Sequence, residues 1–504
     1  MFWHILRKDW KLLRWMVVGL ALLNAVPRIV QSSYGAFWDN RRAAAGFTGM
    51  LYGVALAAGV LVIVLAVQED AIPGLRQDWL ARPIARRDLL LSKLLFVVLL
   101  VQAPIFAIEV AQCLAAGFPL AASFSAPFSR SLWMLLALDL PVLAFATLTR
   151  NLAQAAAAAV AAILGVACFF LCAELVFATD VEGDQTWVHV AVQAAWGIAA
   201  AAAILALQYY RRKTPHARSA FAAAMAVWLA LELIPWNTAF AIEARLSPQP
   251  SAANPIRMVF LPGAGRRRRS PDERFQRIPA WRGHPTNDLD LYVPLGIDGL
   301  SPDRMLLGDR AAIRLTDSTG RVVYTGDQGV TIPFVRLPLI PGLEGPVYQL
   351  VVVSRDVYER LKDQPLNLEI DFTLTLLRAS APQTLPPAGS SRWLEGVGRC
   401  ATRISRLDGM EVGCQSPGQG SLVLWAAQDD QGLPVNLNSF GDSPDSAPFF
   451  ARIYGDSISR YRPNKQPDLP LAYQMVTVRS YRAEAQFARR LTIPNLRLSD
   501  WQAE

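Results

Sequence analysis

The chain has 504 residues, 53% of them hydrophobic, and a formal net charge of +8 at pH 7, which leaves room for two or three domains and exceeds the apolar content of ordinary globular proteins. The basic surplus does not describe a nucleic-acid binder, because the lysines and arginines of the first half lie in short segments between apolar runs rather than on one aqueous face. Residues 12–242 are long apolar runs almost free of charge, whereas residues 243–504 are rich in Pro, Asp and Arg. That contrast predicts an α-helical polytopic membrane domain followed by a mainly-β, β-sandwich-like extracytoplasmic domain.

Met1 to Lys11 mix Phe2, Trp3, Ile5, Leu6 and Trp10 with Arg7, Lys8 and Lys11. The pattern suits an interfacial helix over residues 1–11, with aromatic rings at the headgroup level and cations toward anionic membrane lipid; a plain extension of the first span is the alternative. The first apolar run is long and no A-x-A site follows it, so it is expected to remain as a span rather than be cleaved.

A helix rises about 1.5 Å per residue, so about twenty apolar residues cross a hydrocarbon core of about 30 Å. Seven segments approach that length within the expected transmembrane domain, 12–242: 12–30, 47–67, 94–114, 131–148, 155–177, 190–209 and 220–242. The first carries Asn24, Pro27 and Arg28 and the fourth Asp139 and Pro141, so either could be tilted, kinked or short. Orientation follows from the basic residues of the short loops, which are retained on the cytoplasmic side. With the N-terminus inside, Arg7, Lys8, Lys11, Arg14, Arg76, Arg82, Arg86, Arg87, Lys93, Arg150, Arg211, Arg212, Lys213 and Arg218 all face the cytoplasm, against Arg28, Arg41, Arg42 and Arg130 outside. A multi-pass protein of the inner (plasma) membrane is expected, with its N-terminus cytoplasmic and its C-terminal domain extracytoplasmic.

Between the second and third spans lies QEDAIPGLRQDWLARPIARRDLLLSKLL, residues 68–95. It offers apolar anchors, a helix-interrupting Pro83 and an Arg-Arg-Asp cluster, although an ordinary positive-inside loop would also hold arginines. In Asp78, Trp79, Leu80, Arg82, Pro83, Ile84, Arg86, Leu89, Leu90 and Lys93 this loop resembles that of the permease subunits of ATP-binding cassette (ABC) exporters of the ABC-2 type. With the N-terminal helix and six spans, the resemblance covers residues 1–215; a seventh span and a large tail depart from the family pattern. The resemblance implies a docking loop for an ATP-hydrolysing ABC subunit, built on Asp78, Trp79, Leu80, Arg82, Pro83, Arg86 and Arg87. It also implies pairing with a second permease protomer, as a homodimer or heterodimer. The chain shows no G-x-x-x-x-G-K-[ST] loop of its own, so ATP hydrolysis is expected in the partner.

Glu109, Asp139, Glu174 and Glu232 fall within the expected spans, where an ionised carboxylate costs several kcal/mol unless water, a partner or a proton relieves it. Glu109, Asp139 and Glu174 are expected toward the outer side, as a cation-attracting or proton-linked path or as protonated groups bonding between helices. Cys113, Cys168 and Cys172 read as small packing residues, and the alanine-rich 155–159 and 199–203 as close-packing surfaces.

Residues 243–288 are expected to form a Pro-, Ser- and Arg-rich linker. Short β-branched and aromatic runs with Gly, Asp-Ser and Pro turns follow, predicting a β-sandwich-like domain at 289–380 and a second β-rich domain at 390–504. Cys400 and Cys414 are expected to pair as a disulfide on the oxidising side. No catalytic set, metal cluster or cofactor is expected: His4, His189, His216 and His284 are dispersed, and the GDS triplets at Gly441 and Gly455 have no following His. The sequence therefore supports a permease-like subunit, driven by a separate ATPase; a non-transporting membrane scaffold or sensor with an external β-rich binding domain is the alternative.

Overall fold

A computed structural model of the chain describes residues 2–34, 42–69, 85–177, 186–211, 213–264, 288–329, 347–386, 391–404, 409–416, 422–429, 434–440, 452–459 and 473–502. The chain divides into two compact units. The first joins Met1–Ala239 to Leu385–Gly420 and Phe440–Ala472, and the second joins Phe240–Thr384 to Ser421–Ser439 and Tyr473–Glu504.

The N-terminal half is helical. α1 runs from Phe2 to Tyr34 without a break, so residues 2–11 are the opening turns of the first long helix. α2 (Arg42–Gln68) carries no acidic or basic residue beyond its first position. α3 (Arg86–Phe96) continues through a π-helical turn at Val97–Gln102 into α4 (Ala103–Ala115). α5 (Leu120–Met134) passes through a second π-helical turn, Leu135–Asp139, into α6 (Leu140–Ala146).

Both wide turns have a covalent cause. Proline has no N–H to bond the carbonyl four residues back, and its ring crowds that carbonyl. Pro104 stands four residues after Leu100 and Pro141 four after Ala137, each inside the widened segment. α7 (Leu152–Phe177) and α8 (Trp187–Ala206) follow, α8 ending in a third π turn at Leu207–Arg211. α9 (Thr214–Glu232) and α10 (Trp236–Leu246) are bent 84° to one another, and Pro235 stands at the break.

Among the described residues, six helices are long and apolar enough to cross a membrane, or seven if the bent pair counts as one span. The fourth is longer than the sequence suggested, reaching from Leu120 to Ala146 and so taking Arg130 into the helix. Leu13, Val17, Leu20, Ile63, Val67, Phe96, Val101, Leu143, Ile204 and Leu205 form one apolar core among α1, α2, α3, α6 and α8. α7 joins this core only near its start, through Ala155, and its Val160, Ile163, Leu164 and Leu171 are exposed, as expected of side chains that would meet hydrocarbon.

The C-terminal half is mainly antiparallel β structure. β1 (Arg257–Phe260), β2 (Asp288–Asp298) and β5 (Val347–Ser354) form a three-stranded sheet in the order β1-β2-β5. β3 (Arg304–Thr316), β4 (Val322–Gly329), β6 (Leu366–Ala379), β11 (Leu422–Asp429), β12 (Pro434–Phe440) and β14 (Tyr473–Leu496) follow the order β12-β11-β14-β6-β3-β4, with β7 (Gln383–Leu385) added beside β14. A short helix, α11 (Arg355–Leu361), packs its Tyr358 and Leu361 into the same core. The period-two pattern of a half-buried strand is plain in β6, where Leu366, Leu368, Ile370, Phe372 and Leu374 are buried and the residues between them are not. Those side chains meet Leu291, Val293, Leu295, Val351 and Val353 of the three-stranded sheet in one core.

Two expected boundaries can be set beside the structure. The linker 243–288 is structured at its start, because α10 reaches Leu246 and β1 pairs with β2 from Arg257 opposite Asp298. The chain passes from one compact unit to the other at Thr384 and Leu385, inside the expected 380–390, but the units are not consecutive in sequence, because β14 pairs with β6 from Tyr481 opposite Ala379 to Leu496 opposite Leu366. Instead β8 (Arg392–Leu394), β9 (Gly398–Ile404), β10 (Gly409–Ser416) and β13 (Arg452–Ser459) form a separate four-stranded sheet, in the order β13-β10-β9-β8.

Candidate functional site

Three polar junctions interrupt the apolar interior of the helical unit. The first lies where the resembling loop enters α3. Lys93 Nζ donates to Asp9 Oδ2 at 2.7 Å and to the Ala66 carbonyl at 2.6 Å, with Lys93 and Asp9 side chains only 0% and 1% exposed. One ammonium thus joins the start of α1, the end of α2 and the last turn of α3. Helical periodicity places Lys93 on the same face as Leu89 and Phe96, both buried. Removing either charge would strand the other in an apolar interior, which costs far more than an exposed pair is worth.

Of the expected docking residues, Asp78, Trp79, Leu80, Arg82 and Pro83 lie outside the described residues. Arg86 opens α3 and Arg87 is exposed beside it. Nearby helix ends are tied by polar side chains as well: Gln68 Nε2 donates to Thr149 Oγ1 at 3.0 Å, and Arg218 donates twice to the Leu148 carbonyl. The arginine thereby satisfies a carbonyl that helix geometry leaves open.

The second junction is a buried cluster. Glu109 of α4 binds Arg28 of α1 through Oε1 and Arg130 of α5 through Oε2, the latter at 3.2 Å. Arg28 also donates to the Asn24 carbonyl at 2.8 Å and lies over the Tyr52 ring. Sequence reasoning placed Glu109 among the acids without an evident cation, and assigned Arg28 and Arg130 to outer ends and loops. The fourth helix runs further than its expected segment and so carries the Arg130 guanidinium to the carboxylate, whereas Arg28 already stood near the end of the first expected segment. The only signal available in advance was that each arginine stood inside or beside an apolar run.

Asp139 forms the third junction, with Gln102, at the close of the two π turns. Gln102 Nε2 lies 2.5 Å from Asp139 Oδ2, and both residues are buried. Sequence reasoning singled out Asp139 but missed Gln102. Glu174 lies in α7, and its side chain is outside the described residues. Among the described residues no group of three or more His, Cys, Asp and Glu could hold a metal ion.

Cys400 of β9 and Cys414 of β10 stand directly opposite and their sulfurs are at disulfide distance, 2.01 Å. Within the same unit, the neighbouring Arg399 donates to the Ala116 carbonyl at the turn between α4 and α5, and Trp393 packs on Phe118 with ring centroids 5.7 Å apart. Gly117 takes a positive φ of 74° there, and a Cβ at that position would fall 1.9 Å from the Arg399 guanidinium. The backbone conformation favours glycine here, and a larger residue would also displace the end of the Arg399 side chain.

No protein-family model matches the chain, and no curated protein matches it.

Proposed function

We propose that the chain is a permease-like transmembrane subunit of an ABC exporter of the ABC-2 type, driven by a separate ATP-hydrolysing subunit and working beside a second permease protomer. The residues of the loop at 78–93 support this reading by their resemblance to that family. The observation that carries it is the buried Lys93, the last residue of the resembling stretch, bonded to Asp9 and the Ala66 carbonyl. A force applied to the loop by a docked ATPase would reach α1, α2 and α3 together, because a short charge-assisted bond in an apolar interior resists separation.

The orientation has two independent supports. The basic residues collect on one side of the expected spans, and the disulfide-bearing sheet packs on the α4–α5 turn, which the same count puts on the other side. A plasma-membrane protein with a cytoplasmic N-terminus and an extracytoplasmic β region accounts for both. The β region would then meet cargo, an envelope partner or another copy.

Affinity purification of the full chain from its native membrane tests the docking role. An ATP-hydrolysing subunit should accompany the wild type and be lost from Trp79→Ala and Arg86→Glu. An unchanged set of bound proteins in both variants would remove the docking role from this loop.

A further inference from the structure

Asp139 is a carboxyl 4% exposed in a candidate span, and the two other buried acids of the helical unit, Asp9 and Glu109, each have a cation. Asp9 has Lys93, and Glu109 has Arg28 and Arg130. Asp139 has no ion pair among the described residues; its hydrogen-bond partner is the neutral amide of Gln102. An ionised carboxylate in such a place lacks the compensation that its neighbours possess.

The geometry of the pair agrees. Gln102 has an Oε1 that is buried without a hydrogen-bond partner, while its Nε2 approaches Asp139 at 2.5 Å. That separation is shorter than the usual N–H···O range of about 2.7–3.2 Å and lies within the O–H···O range of about 2.5–3.0 Å. The oxygen and nitrogen of a glutamine amide are assigned from their bonding rather than seen. Turning the Gln102 amide by half a rotation puts its oxygen on Asp139, where a carboxylic O–H would donate to it. One short bond then replaces an uncompensated charge and gives the amide oxygen a donor, with the amide NH2 turned into the place that Oε1 had held. The pair also sits at the ends of two π turns, Val97–Gln102 and Leu135–Asp139, local widenings that recur at functional positions in helices.

We propose that Asp139 is a proton-binding site inside the helix bundle, holding a neutral carboxyl that donates its hydrogen bond to Gln102. The site is separate from the docking loop, and stands whether or not an ATPase binds there. It differs in kind from Glu109, whose carboxylate has two arginine partners where Asp139 has a neutral amide.

Infrared difference spectra of the purified full chain at neutral pH read the protonation state directly. Wild type minus Asp139→Asn should show a positive protonated-carboxyl C=O band, lost in the variant, and Gln102→Leu should move that band to higher frequency. Loss of ionised carboxylate bands instead, or carboxylate bands that shift when sodium replaces potassium, overturns the proposal in favour of a charged or cation-holding Asp139. A band unmoved by Gln102→Leu removes the role given to the amide. Should Asp139→Asn fail to fold, wild type grown with carboxyl-labelled aspartate gives the same reading. The protonated band must then shift with the label, and its absence refutes the site.

Discussion

The helical unit and the β-rich unit bury different things. In the first, charge goes inward: Lys93 with Asp9, and Arg28 and Arg130 with Glu109, are shielded on both sides of each pair. In the second, hydrocarbon goes inward along alternating strand positions, and its charges stay at the surface or keep a partly exposed partner. Arg490 and Asp371 are 59% and 44% exposed, and the buried Glu484 is met by an Arg304 that is 24% exposed. The stability of the helical unit therefore hangs on a few polar junctions. That of the β unit is spread over many interchangeable contacts.

Single and paired substitutions sharpen this contrast. The largest effect is expected at Lys93: Lys93→Met alone should destabilise the helical unit by about 3–5 kcal/mol, because Asp9 is left charged and buried. Adding Asp9→Leu should recover most of that loss, as replacing both members of a buried pair with apolar residues is often neutral. Thermal unfolding in detergent measures both, and a double variant as unstable as the single one would break the comparison. In the β unit, Leu368→Ala should cost about 2–5 kcal/mol through a cavity, and a second substitution on the neighbouring strand should restore none of it unless volume is restored.

Replacing Cys400 and Cys414 with serine should cost about 3 kcal/mol for a loop of this length, with a sequence separation of 14. The loss should appear in resistance of the four-stranded sheet to proteolysis. The smallest effect is acid sensitivity of two surface turns. Hydrogen bonds from Thr319 and Ser301 hold the Asp317 and Asp303 carboxyls below their ordinary range. Their contribution is present above the unfolded aspartate value of about 3.9 and is lost as pH falls through the depressed folded values. Asp317→Ala should therefore lower the β unit's melting temperature slightly at neutral pH and leave it unchanged in acid below both values, which flattens the acid limb.

The sequence made one kind of information plain and hid another. Long apolar runs and alternating strands are local patterns, so the helices of the first half and strands such as β6 were legible from composition and period. The disulfide was legible because two cysteines stood alone outside the expected spans. Pairings across the chain left no local trace. Nothing near residue 380 signals that β6 continues its sheet with β14, about a hundred residues later in the chain, and the Pro-rich segment between them suggested a boundary instead. Arg130 was counted as a loop charge because hydrocarbon length, not helix length, set the expected fourth span, and Arg28 was counted outside although it stood near the end of the first. Pro104 and Pro141 were visible, and their effect on the turns before them could have pointed to Gln102 as a partner of Asp139.

β14 has a consequence for how the protein is made. It is the longest of the described strands, and it fills the gap between β6 and β11, yet it is synthesised after both. Until it emerges, β6 and β11 each present an open edge, and open edges invite mispairing and aggregation. A nascent chain would have to be shielded, or kept moving, until β14 arrives to close the sheet.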